Sequence, residues 1–155
     1  MYETGEAVAR AFFDRWNEGD ADGIAALFVE DADFVNVVGL WWHDRRAIRK
    51  AHDYGFRHIF ENARVEITEL SVRELTPDIH IVHTVSILDG QTGVGGTEAV
   101  QRTAVISMVT HRRSSAFQIV CCHNTDRVVG ADTHVVDTRG FRVCTQLVLF
   151  VTLEL

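Results

Sequence analysis

The residues that can do chemistry in this sequence are polar side chains set singly into apolar patterns. His52 falls on a helical stripe with Ile48, Ala51, Gly55 and Phe56, and His123 on an alternating run with Phe117 and Ile119. An imidazole titrates near neutral pH, so one such ring can serve as a base and another as an acid. Arg102 opens the run Ala104, Ile106, Met108 and suits a developing oxyanion or a carboxylate. Asn36 interrupts Phe34-Val35-Asn36-Val37-Val38 and can orient a carbonyl or a water. Each also has a structural role open to it: a buried histidine bonded within the protein, or an arginine in an ion pair at a rim.

The remaining patterns carry less. His80-x-x-His83 puts its rings on opposite faces of a strand, a poor metal pair, and Gly93-x-Gly95-Gly96 lacks the strand-glycine-helix setting of a phosphate loop. No serine occupies a nucleophile elbow, and no dinucleotide fingerprint is present. No metal and no cofactor is expected.

These residues need a scaffold, and the chain is long enough to provide one. Its 155 residues suit one domain, and 46% hydrophobic with 24% charged residues is ordinary globular composition. A net charge of −7 argues against duplex nucleic acid. The cluster Arg45, Arg46, Arg49, Lys50 reads as the solvated face of a helix that buries Ile48 and Phe56. No apolar run is long enough to span a bilayer, and no basic stretch followed by an apolar segment opens the chain. Adjacent Cys121 and Cys122 point to opposite faces of a strand, and with Cys144 they read as buried apolar residues. The expected setting is reducing and cytoplasmic.

Val8, Ala11, Phe12 and Trp16 predict a first helix, stopped at Asn17-Glu18-Gly19 with Gly19 left-handed. Asp20 caps a short second helix through Ile24, Leu27 and Phe28. A strand over 33–38 ends at Gly39, and Asp44 caps a third helix over 45–61. From Arg64 the period becomes two. Val65 and Ile67 share one parity, Leu70 and Val72 the other, which predicts a β-bulge near Thr68 and Glu69. Strands follow over 79–88, 98–109 and 117–124, a helices-first α+β order. Residues 127–155 form a C-terminal extension, in which Cys144–Leu153 alternates as an added strand. So apolar an end needs cover from the body of the domain or from a second subunit.

Trp16-Asn17-x-Gly19-Asp20, Leu27-Phe28-x-x-Asp31-Ala32, Asn36-Val37-Val38-Gly39, Arg45-x-Ala47-Ile48-Arg49 and Phe117-x-Ile119-x-x-x-His123-Asn124 together resemble the NTF2-like superfamily. The chain is most similar there to SnoaL-like and SgcJ/EcaC-type proteins. The resemblance covers residues 1–126 and implies a cone, with three N-terminal helices packed on a strongly bent antiparallel sheet, a ligand cavity and a homodimer. It also implies that Phe117, Ile119, Cys121 and His123 face inward. His123 and His52 are then the candidate catalytic residues, and Asn36, Arg102, Trp16, Phe12, Met108 and Trp41 the candidate ligand contacts, with Trp41 and Trp42 both packed over the opening.

Against the ketosteroid isomerases of that superfamily, the general base would fall on Asn36, the oxyanion tyrosine near Phe12, and the second oxyanion donor near Ser107 or Met108. An amide has no useful basicity, phenylalanine no hydroxyl, and methionine no proton to donate, so steroid-type proton transfer is argued against. The expected function is binding of a small apolar organic molecule, with cofactor-independent isomerisation, cyclisation or hydration in specialised metabolism as the reaction class. The alternative is a non-catalytic association or carrier domain acting through its sheet.

Overall fold

In the computed structural model, which describes residues 1–93, 99–138 and 140–144, helix α1 (Gly5–Asn17) starts on a Thr4 cap. It stops where Gly19 turns left-handed at φ +68°. Asn17 then fixes the helix end to the sheet, its amide donating to the Val65 carbonyl and accepting from the Val65 N–H, both at 2.8 Å. Asp20 caps α2 (Ala21–Ala26) through a 2.7 Å bond from the Gly23 N–H, and Asp44 caps α3 (Arg45–His58) in the same way at Ala47. Arg45 turns from the solvated face of α3 to donate to the Phe28 carbonyl, tying that helix to the first strand.

The strands are β1 (Phe28–Val35), β2 (Trp41–Trp42), β3 (Arg64–Thr76), β4 (Ile79–Asp89), β5 (Arg102–Arg113) and β6 (Ala116–Asp126), ordered β2-β1-β6-β5-β4-β3. All neighbours are antiparallel except β1 and β6, which run parallel. The bulge predicted on β3 lies between Ile67 and Glu69. It returns Leu70 to the face of Val65 and Ile67, and all three pack on the core. That core joins Val8, Phe12 and Phe13 of α1 to Ile24, Phe28, Phe34, Ile48, Val82, Ile106, Met108, Phe117 and Ile119. The result is the expected α+β cone: helices laid against a curled sheet.

Several boundaries differ from expectation, among them the strand expected over 98–109, which runs over Arg102–Arg113 where it pairs with β4 and β6. The first strand begins at Phe28, not 33, because α2 ends at Ala26 and Phe28 pairs with Ile119. It also ends before Asn36. The third helix stops at His58 rather than 61, with the Ile59 and Phe60 N–H groups both bonded to the Gly55 carbonyl. The extension forms a separate hairpin, β7 (Thr133–Asp137) with β8 (Gly140–Cys144), closed by an Arg142–Asp137 ion pair. The strand predicted over Cys144–Leu153 lies, beyond Cys144, outside the described residues, as do Gly95 and Gly96.

Candidate functional site

The helices and the sheet enclose a hollow of about 130 Å³. Its helical wall is aromatic: Phe12, Phe13 and Trp16 from α1, and His52 and Phe56 from α3, joined by Phe34 and Trp42 from β1 and β2. Its sheet wall comprises Ser86 and Leu88 of β4, Arg102, Ala104 and Ile106 of β5, and Asn124 of β6. A mostly apolar lining with a few convergent polar groups is the usual make-up of a small-molecule site.

His52 is where the helical stripe predicts it. Its Nδ1 lies 2.9 Å from the Ile48 carbonyl oxygen, which can only accept, so Nδ1 carries the proton and Nε2 keeps its lone pair. Aromatic rings surround the imidazole, with centroids at 5.3 Å for Phe34, 5.9 Å for Phe12, and 6.1 Å for Trp42 and Phe56. Burial pushes its pKa below the ordinary histidine value, outweighing the opposite pull of the Ile48 bond. The ring is therefore a neutral acceptor at neutral pH.

Arg102 also lines the hollow, where its Nε lies 3.3 Å from Asp126 Oδ1 in an ion pair whose two side chains are 29% and 33% exposed. This is the rim pairing open to it from sequence; it balances the one cation that lines the hollow among the described residues, while leaving Arg102 Nε and Asp126 Oδ1 without a hydrogen bond there. Trp16 and Phe12 line the hollow as expected, and Trp16 packs on Phe56 and Phe60.

Asn36 reaches the hollow too, but from a loop. Its Oδ1 accepts from the N–H groups of Val38 (3.1 Å) and Leu40 (2.8 Å), so its acceptor is spent on holding the turn that Gly39 completes. Met108 faces inward but is fully buried in the core and does not line the hollow. Trp41 does not close the opening. It is 57% exposed, donates from Nε1 to Asp33 at 2.7 Å and stacks on His43, while Trp42 takes the inward place.

His123 is not in the hollow. The β5–β6 register shifts at Val109–Thr110, where Thr110 faces Ile119 and Val109 faces Cys121, so Val120 is the extra residue of a bulge. Parity flips there: Phe117 and Ile119 are inward before it, Cys122 and Asn124 after it, and His123 is exposed on the outer face beside Cys121. The inward group missed from sequence is Asn124, whose Oδ1 is buried with no hydrogen-bond partner among the described residues. The only trace of it in the sequence was its place beside His123 in the final-strand pattern. Cys122 is buried, which holds its thiol pKa well above the ordinary value.

The chain belongs to the SnoaL-like domain family of the NTF2-like superfamily, matching the family over residues 9–143. Among solved structures it is similar to an uncharacterized protein with a cystatin-like fold from Caulobacter vibrioides, at 24% identity and TM-score 0.74, covering 80% of this chain and 87% of that one. A putative scytalone dehydratase from Novosphingobium aromaticivorans is 14% identical with TM-score 0.67, covering 92% of this chain and 89% of that one. A ketosteroid isomerase-like protein from Erwinia carotovora atroseptica is 15% identical with TM-score 0.66, covering 79% and 93% respectively. A search among curated proteins found no match. At these identities the likenesses speak for the fold alone. Among the described residues, no helix is long and apolar enough to cross a membrane.

Proposed function

We propose that the protein binds a small, largely apolar organic molecule in the hollow and that His52 is the acid–base group facing it, in a cofactor-independent proton transfer of the isomerisation, cyclisation or hydration type. The observation that carries this reading is His52 itself: a neutral imidazole, fixed by the Ile48 carbonyl, among the aromatic rings of a hollow with room for a ligand. A structural histidine needs only the backbone bond. A lone pair left free beside open space is what a general base requires. The dehydratase and isomerase-like names among the structural neighbours agree with this class without supplying a substrate.

The test is a ligand-observed NMR screen of small aromatic and alicyclic compounds. Hits are expected for the native chain and are expected to vanish in Ala51→Trp, which fills the hollow from α3, provided circular dichroism shows that variant folded. Binders with an acidic C–H are expected to exchange it with solvent deuterium at a rate that falls about 10²-fold or more in His52→Gln. Equal exchange in both proteins removes His52 as the base, and hits that survive Ala51→Trp place binding elsewhere.

The outer sheet face fits a homodimer. Ile81 opposite Val109 and Val85 opposite Val105 put half-buried apolar pairs on the side away from the helices, on either side of the polar pair His83 and Ser107. Val105→Asp is expected to halve the mass measured by sedimentation equilibrium while leaving the thermal midpoint of the domain within a few degrees. An unchanged mass rules this face out.

A further inference from the structure

Arg102 lines the hollow with most of its hydrogen-bonding capacity unused. β5 sets it on the inner face with Ala104 and Ile106, across from the helical wall that carries His52. Its ion pair engages one side only: Asp126 Oδ1 stands 3.3 Å from Nε, and neither atom makes a hydrogen bond among the described residues. Nε is closed off. The two Nη groups are not, and on a side chain 29% exposed they too have no hydrogen-bond partner among the described residues. A guanidinium presents these N–H groups as a planar fork suited to an oxygen acceptor.

The reachable polar groups divide between the two walls. Asn36, just past β1, has given its oxygen to the Val38 and Leu40 N–H groups, so its amide N–H is what it can offer the hollow. Asn124 Oδ1 is closed off, and Ser86 can donate or accept, so neither sets a preference. On the helical wall His52 has committed its single proton to Ile48, which leaves Nε2 an acceptor. The sheet side donates and the helical side accepts. At about 130 Å³ the hollow approaches the roughly 150 Å³ of an apolar cavity that takes up benzene, so one bound ring meets both walls.

Resting on the reading that this hollow is the binding site and His52 its base, we infer that the substrates are neutral, single-ring ketones with a C–H beside the carbonyl, and that Arg102 is a second catalytic residue, holding the carbonyl oxygen through its Nη groups. His52 Nε2 takes the proton from carbon, the C–H electron pair forms a C=C bond, and the π pair of the carbonyl moves onto oxygen beside the guanidinium. Return of the proton from Nε2 to the same or a conjugated carbon restores the C=O bond. The sequence balances without a co-reactant. The guanidinium holds the oxygen most strongly once it carries the charge, and interactions stronger in the transition state are the ones that speed a step. Asp126 offsets the charge of Arg102 beforehand, so a ligand that arrives already anionic gains less there.

The test is deuterium exchange into cyclohexanone, with NMR titration of the same ligand, for the whole native chain, Arg102→Gln and Arg102→Lys. Exchange by Arg102→Gln is expected to be at least about 10²-fold slower, while affinity falls only several-fold. Arg102→Lys, which keeps a charged N–H donor, is expected to recover at least about ten-fold of that rate. A purely structural Arg102 would not split rate from affinity. Equal exchange by the native chain and Arg102→Gln overturns the role of Arg102 while leaving His52 and the hollow in place. Binding without exchange in the native chain overturns proton transfer and this inference together. If cyclohexanone does not bind, the ketone class is overturned; if the hydrocarbon methylenecyclohexane also fails to bind, so is the binding-site reading. Should Arg102→Gln not fold, the native chain decides: cyclohexanone is expected to bind at least about ten-fold tighter, relative to methylenecyclohexane, than their partition between water and alkane predicts, with cyclohexanecarboxylate weakest. Affinities that follow partition alone, or the carboxylate binding tightest, overturn the inference.

Discussion

Phe12→Ala is expected to lower the unfolding free energy by about 3–5 kcal/mol, the usual cost of deleting a buried phenylalanine. Phe12 is 3% exposed and joins three elements: its ring meets Phe13 of its own helix at 5.5 Å, Phe28 and Phe34 of β1 at 6.2 and 6.3 Å, and His52 of α3 at 5.9 Å. Edge-to-face contacts of this kind add to the area term, so the loss belongs in the upper half of the range. The space left behind merges with the hollow instead of forming a sealed void. The variant should therefore stay folded in the cold and admit a two-ring ligand that the native chain rejects. Urea unfolding with an unchanged m-value checks the first part, and titration with naphthol the second. A loss below about 1 kcal/mol would mean the aromatic wall repacks over the gap, against the close packing expected of a core.

How far the sequence discloses this site depends on whether the pattern around each residue contrasts inside with outside. On β3 it does. The apolar residues shift parity between Ile67 and Leu70 across polar Thr68 and Glu69, so the bulge can be read directly. On β6 it does not. Val120, Cys121 and Cys122 are all apolar, so a bulge among them leaves no mark, and extending the parity of Phe117 and Ile119 brings out His123 instead of Asn124. Trp41 and Trp42 are ambiguous for the same reason: identical neighbours carry no parity signal, and only the pairing of Trp42 with Phe34 shows which of them faces inward. His52 is legible because a helix samples its surroundings every three to four residues, and Ile48 and Phe56 fix its face. Asn36 is half legible: its position at the hollow follows from the pattern, but the use of its oxygen by the Val38 and Leu40 amides depends on a turn that only the structure shows. The β7–β8 hairpin has no contrasting pattern at all, since Val135, Val136 and Phe141 are exposed.

The protein is expected to lose stability as the pH falls below about 6.5, and His52 to account for a separable part of that loss. Burial among Phe12, Phe34, Trp42 and Phe56 holds the folded-state pKa of His52 below its unfolded value. Above the unfolded value both states carry a neutral ring, and the stabilisation is complete. As the pH drops through it, the unfolded chain takes up a proton that the native state refuses. Stability then declines by up to about 1.4 kcal/mol per pH unit until the folded-state value is reached, below which this contribution levels off. His52→Phe, which keeps an aromatic ring in the aromatic cage, should flatten that portion of the curve. Urea unfolding of both proteins at pH 8, 6.5 and 5.5 gives the difference directly, since groups far from the site titrate alike in both and cancel. A difference that does not change with pH, or that grows in the opposite sense, would mean that the ring is solvated when folded. The same window should govern ligand uptake. Protonation removes the Nε2 lone pair, so a ligand that donates a hydrogen bond to His52 should lose affinity below the pH at which the native ring titrates. In the His52→Phe variant, affinity should be lower and independent of pH over that range.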